Sequence, residues 1–230
     1  MKRQFWILLF VSLILGTGWQ VDNGRLLITE IYYDTPGDDS LEEWIEIANV
    51  GTAVVDLSKI KIGDEDQPGG PEGMNRFPEG ALIEPGQVII VAQSAADFHN
   101  LFGVNPDYEL SDSDPNVPDM RRYRLWSSGD IGLNNDGDEL LLLDANNQLL
   151  DSLNYGDSTT YFAPSIQNVL RGQSLARLPA DCNTGTAADW QPLEFPTPGE
   201  ISLEGECTAS LNPVELETLL PIGAVQGAAD

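Results

Sequence analysis

The side chains with which this sequence could do chemistry are 37 carboxylates, 11 lysines and arginines, two cysteines and one histidine. Acyl-transfer triads need a base beside a nucleophile, and His99 has no Gly-x-Ser-x-Gly stretch near it, so it reads as a solvated side chain. Cys182 and Cys207 together with His99 fall short of the usual Cys/His zinc set. A glycosidase-like carboxylate pair has no sequence signature among so many acids. Asp34, Asp38, Asp39, Glu42 and Glu43 are expected to form a solvated loop. Calcium is the sharper idea. Asp112, Asp114 and Asp119, or Asn134, Asp136 and Asp138, present the alternating oxygens a hard cation takes, although neither set completes an EF-hand loop. No other cofactor is suggested.

The formal net charge is −26. Such a surface repels phosphate backbones, which lysine and arginine clusters normally hold, so nucleic acid and anionic membrane are poor partners. The plain reading of the acidity is solubility. At the N-terminus Lys2 and Arg3 precede an apolar run, 5–15, that ends in Gly16-Thr17-Gly18, the order of a secretory signal peptide. The run is shorter than the roughly 20 residues that span a bilayer, so a retained anchor is the weaker alternative. The expected organisation is a leader over 1–20, one domain over 21–207 and a flexible tail over 208–230. The mature chain is then secreted or on the cell surface, with no membrane insertion once the leader is cleaved. In that oxidising compartment Cys182 and Cys207 are expected to pair, for a stabilisation of roughly 3 kcal/mol.

Positioning these groups falls to short strands. Runs rich in Ile, Val, Leu and aromatics recur at 26–33, 44–49, 54–57, 60–63, 87–92, 122–125, 139–143, 149–155 and 174–178, with turn residues between them, the pattern of an all-β sandwich or barrel. In 44–49 the alternation puts Ile45 and Ile47 on one face and Trp44, Glu46 and Ala48 on the other. Pro85-Gly86 suits a type II turn, and Asn146-Asn147 suits the loop of a hairpin over 139–155. One helix is predicted over 95–102, with Ser94 as N-cap, Asp97 as its capping partner and Gly103 closing it. The segments 67–75 and 111–119 read as long loops.

The motifs Ile28-Thr29-Glu30-Ile31, Glu43-Trp44-Ile45-Glu46-Ile47 with Asn49 and Gly51, and Val55-Asp56-Leu57-Ser58 resemble the opening of a lamin-tail domain. The likeness continues through Asn134-Asn135-Asp136-Gly137-Asp138, Asp151-Ser152-Leu153-Asn154-Tyr155-Gly156, Gly172-Gln173-Ser174-Leu175-Ala176-Arg177, and Trp190 with Thr197-Pro198-Gly199. It implies an immunoglobulin-like antiparallel β-sandwich, here with one short helix and long loops, in which Trp44 is core and Glu46 structural. Lys59-Ile60 departs from the family's usual Gly-Trp, and the stretch 104–122 looks like an enlarged loop.

The resulting expectation is an exported, non-catalytic binding or adhesion module for a protein or polysaccharide. The alternative is an accessory acting in trans with an exported nuclease or phosphoesterase, and a structural calcium-binding surface protein stands behind both. Recognition is expected at the loops 67–75 and 111–119, with Asp112, Asp114 and Asp119 as polar contacts and Tyr123 and Trp126 as aromatic anchors. The competing reading places both aromatics in the core.

Overall fold

The computed structural model describes residues 24–207; the leader and the tail expected at 1–20 and 208–230 lie outside the described residues. One sheet orders its strands β13-β12-β1-β2-β7-β8, with β1 Leu26–Tyr32, β2 Trp44–Asn49, β7 Val88–Ala92, β8 Tyr108–Glu109, β12 Ser174–Arg177 and β13 Trp190–Leu193. The facing sheet runs β11-β10-β4-β5-β9, with β4 Lys61–Gly63, β5 Met74–Arg76, β9 Arg121–Arg122, β10 Gly137–Leu143 and β11 Leu149–Gly156. A two-stranded ribbon, β3 Val55–Asp56 with β6 Leu82–Ile83, completes an all-β sandwich. Ile28, Ile31, Ile45, Ile47, Ile89 and Val91 of the first sheet meet Ile62, Leu140, Leu142, Leu153 and Tyr155 of the second, and this apolar layer is the core.

Both outer faces are also covered, which the alternation in β2 did not convey. Helix α2, Ala95–Phe102, lays Phe98 and Phe102 on Tyr32, Trp44 and Ile90 of the first sheet, with Phe98 and Phe102 each edge-on to Trp44. Ser94 accepts from the Asp97 amide, and Gly103 ends the helix at a φ of 74°, so the local capping chemistry acts as read. On the second sheet Trp126 packs with Met74, Leu141 and Leu143.

The hairpin β10–β11 forms in antiparallel register, and Asn147 takes a φ of 61° in its loop. Gly86 takes a φ of 75° after Pro85, as the turn there demands. Three sequence expectations are corrected. The strand over 122–125 reduces to Arg121–Arg122, because the chain turns at once, with the Trp126 amide donating to Tyr123 O at 2.9 Å. The presumed loop 67–75 ends inside β5, where Met74 and Asn75 are buried. The acidic run after Asp34 contains a single helical turn, α1 Asp39–Glu42, capped by Asp38, and its last member Glu43 is buried rather than solvated.

Candidate functional site at the acidic end of the sandwich

The ends of β1, β4, β7, β8 and β11 and the starts of β2, β5 and β10 gather at one end of the sandwich, where irregular segments need partners for their amides. Buried carboxylates supply them. Gly132 N donates to Asp64 Oδ2 at 2.8 Å, Leu133 N to Glu43 Oε2 at 3.1 Å and Asn134 N to Asp138 Oδ2 at 2.8 Å. Three successive amides are thus clasped by acids from three different strands or strand ends. Burial, reinforced by Asp39 and Asp138, pushes Glu43 up to about 8. Burial likewise raises Asp64 to about 7 and Asp138 to about 6.

The loop 111–119 is organised in the same way. Glu109 is fully buried, and its carboxylate accepts from Ala95 N at 3.0 Å, Ser113 N at 3.1 Å and Asp114 N at 3.0 Å. Asp114 turns its own Oδ1 to Asn116 N at 2.9 Å, and Asp119 forms a backbone bridge with Glu109. Asp112, Asp114 and Asp119 do not converge. Among the described residues no three of His, Cys, Asp and Glu form a group able to hold a metal ion. In the second triplet Asn134 Oδ1 accepts from Asp136 N at 3.0 Å while Asp138 closes the clasp, so those oxygens serve the turn into β10. Tyr123 and Trp126 are packed on the second sheet, Trp126 donating Nε1–H to Glu65 O at 2.9 Å and Tyr123 lying under the Lys61 ammonium. Trp126 is buried, and the core-like reading describes it better than the anchor reading. His99 is exposed on α2.

Beside the clasp, at the open edge between β8 and β9, lies a crevice of about 200 Å³. Its walls are Asn75 and Arg122 from paired positions of β5 and β9, Gln93, Leu110 and Ser111 beyond β7 and β8, and Asp130 and Ile131 of the clasped segment. Of the two segments singled out from sequence it takes only the end residues, Asn75 of 67–75 and Ser111 of 111–119. Arg122 is ion-paired with Asp130. Gln93 Nε2 donates to Ile131 O at 2.7 Å, and Asn75 Oδ1, although buried, has no hydrogen-bond partner. Sequence reading reached Asn75 only as the end of the segment 67–75 and missed Gln93 and Arg122, since nothing local marks residues brought together by folding.

A larger cleft of about 330 Å³ lies on the outer face of the first sheet under 197–202 and contains the cross-strand pair Glu30 and Glu46. All four of their oxygens are engaged: Glu30 by Thr197 N at 3.0 Å and Thr197 Oγ1 at 2.8 Å, Glu46 by Thr29 Oγ1 at 2.6 Å and Gly199 N at 2.8 Å. Burial raises Glu46 to about 8. Next to them buried Arg177 donates from one guanidinium nitrogen, Nη2, to both oxygens of Asp151, at 2.8 and 3.0 Å, and lies over the Trp190 ring. Cys182 and Cys207 form a disulfide with Cα atoms 5.2 Å apart, as expected.

Two facing sheets, antiparallel except for the parallel edge pair β7–β8, with loops fastened at their ends, define an immunoglobulin-like β-sandwich module. The chain belongs to the lamin tail domain family, whose model matches residues 20–157. The strands beyond that match, β12 and β13, complete the first sheet. Among curated proteins none matches. A solved structure of a DUF4876 family protein from Bacteroides thetaiotaomicron VPI-5482 is similar at 16% identity with a TM-score of 0.44, over 67% of this chain and 62% of that one. The match thus spans less than two thirds of that protein. No helix among the described residues is long and apolar enough to cross a membrane.

Proposed function

We propose that this chain is an exported, non-catalytic binding module that recognises a protein or polysaccharide outside the cell through the acidic end of its sandwich. The observation that carries the reading is that Asn75 and Ser111, at the ends of the segments 67–75 and 111–119, line one crevice, while each segment is pinned by buried acids to a two-sheet scaffold. A pre-shaped loop surface loses less entropy on binding than a mobile one. The Cys182–Cys207 disulfide and the leader read at 1–20 support export. The non-catalytic part of the reading is supported by the engagement of Glu30 and Glu46 with backbone and hydroxyl donors, which makes that pair a fastening rather than an acid and base. The test is capture by the mature chain from its own culture medium and on insoluble polysaccharide. Retention of a defined partner, abolished by substitutions around the crevice, is expected; a chain that retains nothing on either support would sink the reading.

A further inference from the structure

We infer that the apolar groove between the free edge of β13 and the segment 164–168 is the docking site for the chain's own segment 211–222, bound in cis. That segment lies beyond the described residues. The inference is independent of the binding-module reading and of the crevice at the acidic end.

The two sheets end unequally on this side. β11 is the last strand of its sheet, and Ile166 forms a bridge with Tyr155 along its edge, its carbonyl accepting from Gly156 N at 2.8 Å. β13 is the last strand of the other sheet, and among the described residues no strand pairs with its outer edge. An open edge beside apolar surface invites a further segment of chain. The groove measures about 440 Å³ and is walled by Pro164 and Ile166 from the one segment and by Ala187, Trp190 and Pro192 from the other. Its volume falls in the roughly 300–1,000 Å³ range of ligand sites, room for several side chains.

The point from which the chain continues selects the occupant. Cys207 is bonded to Cys182, with Cα atoms 5.2 Å apart, and Cys182 Sγ lies 3.5 Å from Asp189 Oδ1. Asp189 stands in sequence between Ala188 and Trp190, both in the groove wall. The disulfide therefore releases the following residues beside the groove, and a span such as 208–211 can extend about 14 Å. The stretch after it carries Leu211, Val214, Leu216, Leu219, Leu220 and Ile222, apolar side chains that gain by leaving water. Its charges are compatible as well. No acid lines the groove of a chain with 37 carboxylates, so Glu215 and Glu217 meet no like charge there. A foreign peptide bears the full entropic cost of association, whereas a tethered one arrives at an effective concentration on the order of millimolar.

The test compares NMR spectra of the full mature chain with those of the same chain carrying Leu216→Ser, Leu219→Ser and Leu220→Ser. The readouts are the backbone amides of Ile166, Ala187 and Ala188 in the groove, with those of Ile45 and Ile47 in the core as controls. The groove signals are expected to shift and the core signals to stay. A synthetic peptide of residues 208–222, added to the triple variant, is expected to return the groove signals toward their positions in the unaltered chain. Ala188→Glu sets a charge at an exposed position of the wall and, added to the triple variant, is expected to weaken binding of that peptide about tenfold. Groove amides that the triple substitution leaves unmoved overturn the inference. Groove signals of the unaltered chain that move on dilution overturn it too, since they assign the groove to the tail of a second copy. Peptide binding that Ala188→Glu leaves unchanged also overturns it, by placing the segment elsewhere. None of these results touches capture through the acidic end, so the binding-module reading stands or falls separately.

Discussion

A carboxyl group removed from water keeps its charge only if donors replace the lost hydration, and Glu43 has few. It accepts from Leu133 N at 3.1 Å and from Gln93 Nε2 at 3.4 Å, faces Asp39 and Asp138, and is pushed up to about 8. Asp64 near 7 and Asp138 near 6 are shifted the same way, as is Glu46 near 8 at the outer cleft. The folded chain therefore holds protons that the unfolded chain has released between its ordinary carboxyl range near pH 4 and about pH 8. Stability from such groups is fully present below that window and is lost as pH rises through the folded values. Asp39 and Asp114 are shifted downward, and their contribution has the opposite sign, failing only at acid pH. Urea unfolding is expected to show highest stability near pH 5 and a decline toward pH 9. Glu43→Gln keeps an oxygen for Leu133 N and removes the charge, so it should flatten this decline by on the order of 3 kcal/mol at pH 9 and change little at pH 5. An unaltered slope in the variant would show that Glu43 does not take up a proton on folding.

At the scale of elements, the part of the molecule most dependent on distant fastening is 196–207, which crosses the outer face of the first sheet. It is tied by Thr197 to Glu30, by Gly199 to Glu46, by Ser202 O accepting from Ala180 N at 2.7 Å, and by the disulfide to Cys182. Cys182 O also accepts from buried Arg177 at 2.8 Å, so the bridge adjoins the ion-paired node formed with Asp151. Replacing both cysteines by alanine is expected to lower stability by about 3 kcal/mol, chiefly by freeing the unfolded chain. The same variant should speed amide exchange at Thr197 and Gly199 while β1 and β2 stay protected; equal exchange in both forms would mean the hydrogen bonds hold the segment without the bridge. Elements differ in how far sequence reveals them. Helix α2 was legible because Ser94, Asp97 and Gly103 act within a few residues of each other. Strands β5, β6, β8 and β13 were not, because two to four residues carry no alternation and form only where a neighbouring strand offers its edge.

For the molecule as a whole, a formal charge of −26 suggests solubility, yet much of its structural use is internal: Glu30, Glu43, Glu46, Asp64, Glu109, Asp138 and Asp151 are buried, and each accepts a hydrogen bond from main chain. The sandwich was legible from its strands and turns, whereas the clasp was not, since positions 43, 64 and 138 are brought together only by folding. The sequence reading therefore located the acidic loops as a surface and missed what fixes them. That difference bears on deletion of 112–119. A passive insertion could be removed without effect, but here Glu109, fully buried in the intact chain, would lose the Ser113 and Asp114 amides, and buried Val117 would go as well. An acid deprived of such donors costs about 1–3 kcal/mol, so the deletion variant is expected to melt several degrees lower. Because Asp112, Asp114 and Asp119 do not converge, millimolar calcium should leave the melting temperature of the intact chain unchanged. Ser111 lies at the margin of the deleted segment and lines the crevice, so polysaccharide retention should fall with the deletion. Equal melting temperature and equal retention in the two forms, with and without calcium, would make 112–119 a passive insertion and move the binding surface to another part of the sandwich.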